Sequence, residues 1–190
     1  MTPTRLTRGT TAVLVIDMQA KLLPLMHNAA AVQTQVARLL AGAAVPGAVV
    51  PDLACPVLVT EQYPQGLGQT VPEIADLVKN AVFRQEKTLF SAFSPELAAA
   101  LQKQGIHAVV VAGIEAHVCV LQTCLDLLDA GYTVAVATDA VGSRRKVDQD
   151  AALARLTQAG VIPTTVESAL LELVRQAGTP EFKAMLPVIK

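Results

Sequence analysis

Apolar positions along the chain fall into short unbroken runs separated by stretches of helical period. Thr11–Ile16, Pro56–Thr60, His107–Ala112, Thr133–Thr138 and Val161–Val166 are largely apolar runs, rich in valine, of the kind that fill a strand covered on both faces. Ala81–Phe83 offers a further short strand leading into Lys87. Between them, Asn28 can cap a helix over Ala29–Ala43, where Val32, Val36, Leu39 and Leu40 share one face. Val45–Asp52, with two prolines and a glycine, reads as a break, Gln62–Thr70 as a surface loop and Val71–Asn80 as a short helix. Ser94-Pro95-Glu96 starts a helix to about Gln104, with a capping serine and proline at the first helical position. Ala116–Ala130 keeps a helical period and Gly131 stops it; Lys146–Ala159, Glu167–Gln176 and Pro180–Met185 supply the remaining helices. Strands alternating with helices predict a single α/β domain over residues 1–190. Its expected form is a doubly wound, mainly parallel six-stranded sheet with helices on both faces.

In such sheets ligands bind outside the carboxyl ends of the strands. Those ends carry Asp17, Thr60-Glu61, Lys87, the Gly113–Cys119 turn and Asp139. Cys119 falls in the first turn of a helix just beyond a buried strand, where unpaired N–H groups and the helix dipole favour an anion. A lowered thiol pKa is therefore expected. A thiolate attacking an sp² carbon needs a cation, a proton carrier and N–H donors for the oxyanion. Lys87, Asp17 and the backbone of Glu115–Cys119 can supply them. Taken singly, each has an ordinary explanation: a buried thiol, a strand-end carboxylate, a surface lysine. Their shared rim argues for a site.

Other motifs point elsewhere or nowhere. His117 lies roughly 200° round the helix from Cys119, at the entrance rather than beside the thiol. Cys124 reads as core, Cys55 as structural, and Asp139 with Arg144 and Arg145 as a loop organiser. Gly66-Leu67-Gly68 neither follows a strand directly nor opens a helix, so it is no dinucleotide fingerprint. His27, His107 and His117 lack metal-ligand spacing, and no cofactor is expected.

Composition changes the picture in four respects. The net charge of −1 gives no general attraction to nucleic acid or anionic membrane. No run approaches the roughly 18 apolar residues of a membrane span, and the first ten residues hold no apolar leader. Three cysteines, an odd number, point to a reducing compartment, so a cytoplasmic protein is expected. Charged residues make up 16%, against about 25% ordinarily, which predicts surface hidden in a homo-oligomer.

With these residues in hand, the chain resembles the isochorismatase-like superfamily of cysteine hydrolases, which includes the nicotinamidases. The resemblance covers about residues 9–175. It rests on Val15-Ile16-Asp17-Met18-Gln19, Val59-Thr60-Glu61-Gln62-Tyr63-Pro64, Lys87-Thr88-Leu89-Phe90-Ser91-Ala92-Phe93 and Gly113-Ile114-Glu115-Ala116-His117-Val118-Cys119. The second and fourth look most like the isochorismatase-domain-containing subgroup. The resemblance implies a three-layer sandwich and a triad of Asp17, Lys87 and Cys119. In the implied mechanism Cys119 attacks an amide-like carbonyl of a small molecule, Asp17 protonates the leaving amine, and water then hydrolyses the thioester. It also implies a cis peptide between Ile114 and Glu115, which would aim the Glu115 N–H at the oxyanion site served by the Cys119 N–H. Glu61, Tyr63, Phe90, Ile114 and His117 are the substrate-pocket candidates. Nicotinamidases hold a metal through an Asp and histidines after the second strand. Glu61–Gly68 has no histidine, so neither metal nor nicotinamide is expected. Val45–Ala54 looks longer than the corresponding family link. Three rival readings stay open: a non-catalytic module that keeps the fold, an isochorismatase-type hydrolase of another substrate, and a redox-sensing thiol protein.

Overall fold

The computed structural model describes residues 5–49 and 55–190. Six strands, β1 (Thr11–Ile16), β2 (Val57–Gln62), β3 (Phe83–Lys87), β4 (Ala108–Ile114), β5 (Thr133–Gly142) and β6 (Ile162–Thr164), pair in the order β3-β2-β1-β4-β5-β6. Every pairing of neighbours is parallel. The helices are α1 (Ala29–Val49), the short α2 (Pro64–Leu67) and α3 (Pro72–Ala75), α4 (Pro95–Lys103), α5 (Leu121–Asp129), α6 (Lys146–Ala159), α7 (Val166–Val174) and α8 (Pro180–Ile189).

The alternation of side chains along each strand divides the core in two. Val13, Val15, Val59, Val110 and Ala112 pack with Val32, Val36, Leu39, Leu170, Leu173 and Met185 under α1, α7 and α8. Leu14, Ile16, Leu58, Val109 and Val111 pack with Leu97, Leu101, Leu127 and Leu156 under α4, α5 and α6. Covered on both faces, β1 and β4 are buried at every position, as their unbroken apolar runs require.

From β1 the chain builds outward to β2 and β3, then returns to lay β4 on the other side of β1. The order of strands therefore reverses between β1 and β4, and the carboxyl ends at such a reversal are where sheets of this kind bind ligands. Gly113 lets β1 and β4 approach. Its φ is +116°, and a Cβ on it would collide with the backbone oxygen and nitrogen of Ile16.

Several elements differ from the sequence expectation. Helix α1 runs on from Ala43 to Val49. The expected break at Val45–Asp52 is thus helical as far as Val49, and residues 50–54 lie outside the described residues. The 62–70 loop contains α2. β3 spans Phe83–Lys87 rather than Ala81–Phe83: as an edge strand it alternates half-buried and exposed residues, and its polar sequence hides it. β5 continues to Gly142, with an irregular register where β4 passes from Val111 to Gly113.

Candidate active site

Asp17 ends β1 with φ at +54°, its carboxylate completely buried. Thr60 Oγ1 donates to Oδ1 at 2.8 Å, and Lys87 Nζ lies 2.7 Å from Oδ2. A buried pair of this kind holds only when the other hydrogen-bonding positions are also filled. Lys87 Nζ further donates to Gln62 Oε1 at 2.7 Å and to the Phe90 carbonyl at 3.0 Å, with the Leu89 carbonyl at 3.4 Å. An ammonium has three protons, so Lys87 is saturated. Gln62 Oε1 also lies 3.9 Å from Cys119 Sγ. One amide oxygen thus joins the lysine to the thiol. Gln62 is itself pinned: its Nε2 donates to the Thr88 carbonyl at 2.8 Å, and its N–H to Gln19 Oε1 at 2.7 Å.

Cys119 is carried on a π-helical turn, Ala116–Val120, that precedes α5. In an α-helix the Glu115 carbonyl would accept from the N–H of Cys119, four residues on. Here it accepts from Val118 at 3.0 Å and Val120 at 3.2 Å, passing over Cys119. The peptide joining Ile114 to Glu115 is cis. Thr123 fixes the turn from behind: its hydroxyl donates to the Cys119 carbonyl at 2.6 Å and accepts from Ala92 N–H at 2.9 Å. This ties the Cys119 turn to the loop that carries Leu89 and Phe90.

The expectation of a lowered thiol pKa does not hold for the resting protein. Burial pushes the Cys119 thiol up to about 12; the Asp17 carboxylate adds to the rise and Lys87 opposes it. Desolvation of a thiol only 5% exposed outweighs the help of one ammonium that is already paired.

The pocket candidates separate into two groups. Tyr63 and Phe90 flank Lys87 with side chains about half exposed, and the Tyr63 N–H donates to the Lys87 carbonyl at 2.8 Å. His117 is half-buried, with Nδ1 3.0 Å from Ser143 Oγ. Ile114 and Glu61 lie away from the thiol. Ile114 is wholly buried in the core under α1, and Glu61 holds Thr70 through its N–H and hydroxyl, both at 2.6 Å. Period-two alternation turns Glu61 from the face shared by Thr60 and Gln62. Glu115 itself pairs with Arg144, Nε to Oε2 at 2.9 Å. Cys124 is core, and Asp139 accepts the Val166 N–H at the start of α7. Sequence reasoning passed over Gln62 and Thr123. The alternation from Thr60 could have pointed to Gln62; nothing in the sequence marked Thr123. Among the described residues no three His, Cys, Asp or Glu gather as a metal site.

A family model described as "Isochorismatase domain" matches residues 11–168. The chain belongs to the isochorismatase family. Isochorismatase domain-containing protein 1 of Danio rerio is 41% identical over 186 residues, covering 97% of this chain and 62% of that protein. The chain therefore spans about three fifths of that relative's length. Isochorismatase domain-containing protein 2 of Homo sapiens is 38% identical over 192 residues, covering 98% of this chain and 86% of that one. Among solved structures, the MAR1 ribonuclease of Caenorhabditis elegans superposes with a TM-score of 0.89 at 38% identity, covering 98% of this chain and 92% of that one. YcaC of Pseudomonas aeruginosa, solved with hexane-2,5-diol and covalent acrylamide, gives 0.87 at 29%, covering 99% and 93%. YcaC of Escherichia coli, described as an octameric hydrolase of unknown specificity, gives 0.84 at 26%, covering 98% and 94%.

Proposed function

We propose that the chain is a cysteine hydrolase that cleaves a C–N, amide-like bond of a small molecule through a Cys119 thioester. The observation that carries this reading is the buried run Cys119 Sγ–Gln62 Oε1–Lys87 Nζ–Asp17 Oδ2 at the strand-order reversal. Because the thiol rests protonated, Asp17 takes its proton as Sγ attacks the carbonyl carbon. A C–S bond forms, and the developing oxyanion is received by the N–H groups of Glu115 and Cys119; the bypassed hydrogen bond in the π-turn favours that use of Cys119. Collapse of the intermediate breaks the C–N bond, and Asp17 returns the proton to the departing amine. Water, giving a proton to Asp17, then attacks the thioester carbonyl; the C–S bond breaks, Asp17 returns the proton to Sγ, and the carboxylic acid departs. Lys87, saturated within the protein, stabilises Asp17 and Sγ electrostatically. Covalent acrylamide on a 29% identical neighbour fits a nucleophile of thiol type in this fold.

The test is intact-mass analysis during turnover of a panel of amides, ureides and N-carbamoyl compounds. An acyl mass should accumulate on Cys119, and Cys119→Ala should remove both adduct and turnover. Turnover surviving in Cys119→Ala would overturn the reading. Because a neighbour bears the name ribonuclease, the panel includes RNA. RNA cleavage abolished by Cys119→Ala, with every amide inert, would replace the amide as substrate. We further infer a homo-oligomer, on the sparse charge, the octameric neighbour and a groove of about 710 Å³ along α1 whose walls include Ala37, Leu77 and Val188. Light scattering at micromolar concentration should show more than one chain; a monomer there would refute it. The three free cysteines support a cytoplasmic setting, and no described helix is long and apolar enough to cross a membrane.

A further inference from the structure

The charges that meet at the site cancel within the protein. Lys87 commits its protons to Asp17, Gln62 and the Phe90 carbonyl at 2.7, 2.7 and 3.0 Å, and its side chain is 3% exposed. None remains for a carboxylate or phosphate on a ligand. Next to the Cys119 turn Arg144 faces Glu115 at 2.9 Å, and Arg145 is held by Asp148 through two bonds at 2.7 and 2.9 Å. His117 turns Nδ1 to Ser143. The large side chains that stand in solvent beside Lys87 are apolar or aromatic, Leu89 being 77% exposed, Tyr63 54% and Phe90 53%, and the exposed charge that shares a hollow with Tyr63 and Lys87 is a carboxylate, Glu86. An anionic group moving towards Cys119 would lose its hydration and meet cations already neutralised by carboxylates.

From this charge balance, and resting on the amidase reading above, we propose that the substrate is a neutral amide with an apolar or aromatic body. Amides whose acyl part bears an anion are rejected at the entrance.

The test compares iodoacetamide with iodoacetate, which are nearly isosteric and differ by one negative charge. Alkylation of Cys119 in the whole protein is followed by peptide mass spectrometry, each rate being divided by that of free cysteine at the same pH. Both reagents consume the same thiolate, so its abundance cancels in the ratio. The preference for iodoacetamide should exceed that of free cysteine by about tenfold or more. The variant Leu89→Lys plants an uncommitted cation at the most exposed rim position and should bring the preference back towards that of free cysteine. A wild-type ratio equal to that of free cysteine, or a ratio unmoved in Leu89→Lys, overturns the inference. Either result leaves the cysteine mechanism standing, because that mechanism is decided separately by turnover in Cys119→Ala.

Discussion

Asp17 acts on Cys119 in two opposed ways. Its charge raises the thiol pKa, yet in the proposed mechanism its oxygen is the proton acceptor that lets the thiol react. Asp17→Asn separates the two effects. Without the carboxylate, one of the two causes raising the thiol is gone, while the lowering influence of Lys87 persists. The Cys119 pKa should fall from about 12, and alkylation at pH 8 should become faster than in wild type even as amide hydrolysis disappears. Slower alkylation at pH 8 would show that Asp17 is not what holds the thiol protonated. The variant should also lose about 3 kcal/mol or more of stability, because Lys87 is left as a buried charge without its partner. At this scale the sequence was legible where a polar residue closes an apolar run, as Asp17 closes β1. Gln62 escaped notice because it lies past the apolar run of β2, and its place on the Thr60 face follows only once the strand is known to continue to Gln62.

Among the elements, one hydroxyl bridges the Cys119 turn and the loop before α4. Thr123 links the Cys119 carbonyl to the Ala92 N–H, both buried. Thr123→Val keeps the shape and removes both bonds, leaving a buried donor and acceptor unsatisfied at a cost of about 1–3 kcal/mol. Urea denaturation should register that loss. If the clamp positions Cys119, kcat should fall with it while Thr123→Ser retains both stability and rate. A Thr123→Val enzyme with unchanged kcat would make the hydroxyl merely structural. The alternation of strands and helices was legible in the hydrophobic pattern, but the π-turn was not. A widened turn and a tight one carry the same apolar periodicity over five residues. The extent of the polar edge strand β3 was similarly hidden, since the expected strand stops at Phe83 and the polar residues up to Lys87 join it only through pairing with β2.

For the whole molecule, the pattern conveyed the layered fold because burying β1 and β4 on both faces demands it. It could not convey the strand order, which arises from pairing between distant segments. The assembled core has a further thermodynamic consequence. It encloses three free thiols, and burial is the first cause of the rise in each: Cys55 goes to about 11, Cys119 and Cys124 to about 12, from an ordinary 9.0. At pH values between 9 and 12 the unfolded chain has released thiol protons that the folded chain still holds. The unfolded state then binds fewer protons, so stability must fall as pH rises through that window, and it is intact below pH 9. Cys124 isolates the effect, since desolvation alone shifts it and it touches none of the proposed chemistry. Cys124→Ala should be less stable than wild type at pH 8, where it loses buried contacts. The gap should then narrow by about 1 kcal/mol per pH unit above pH 9, as wild type alone pays for ionising this thiol. Urea titrations of both proteins at pH 8, 9, 10 and 11 measure the gap directly, and a gap constant with pH would mean that Cys124 ionises as freely inside the fold as outside it.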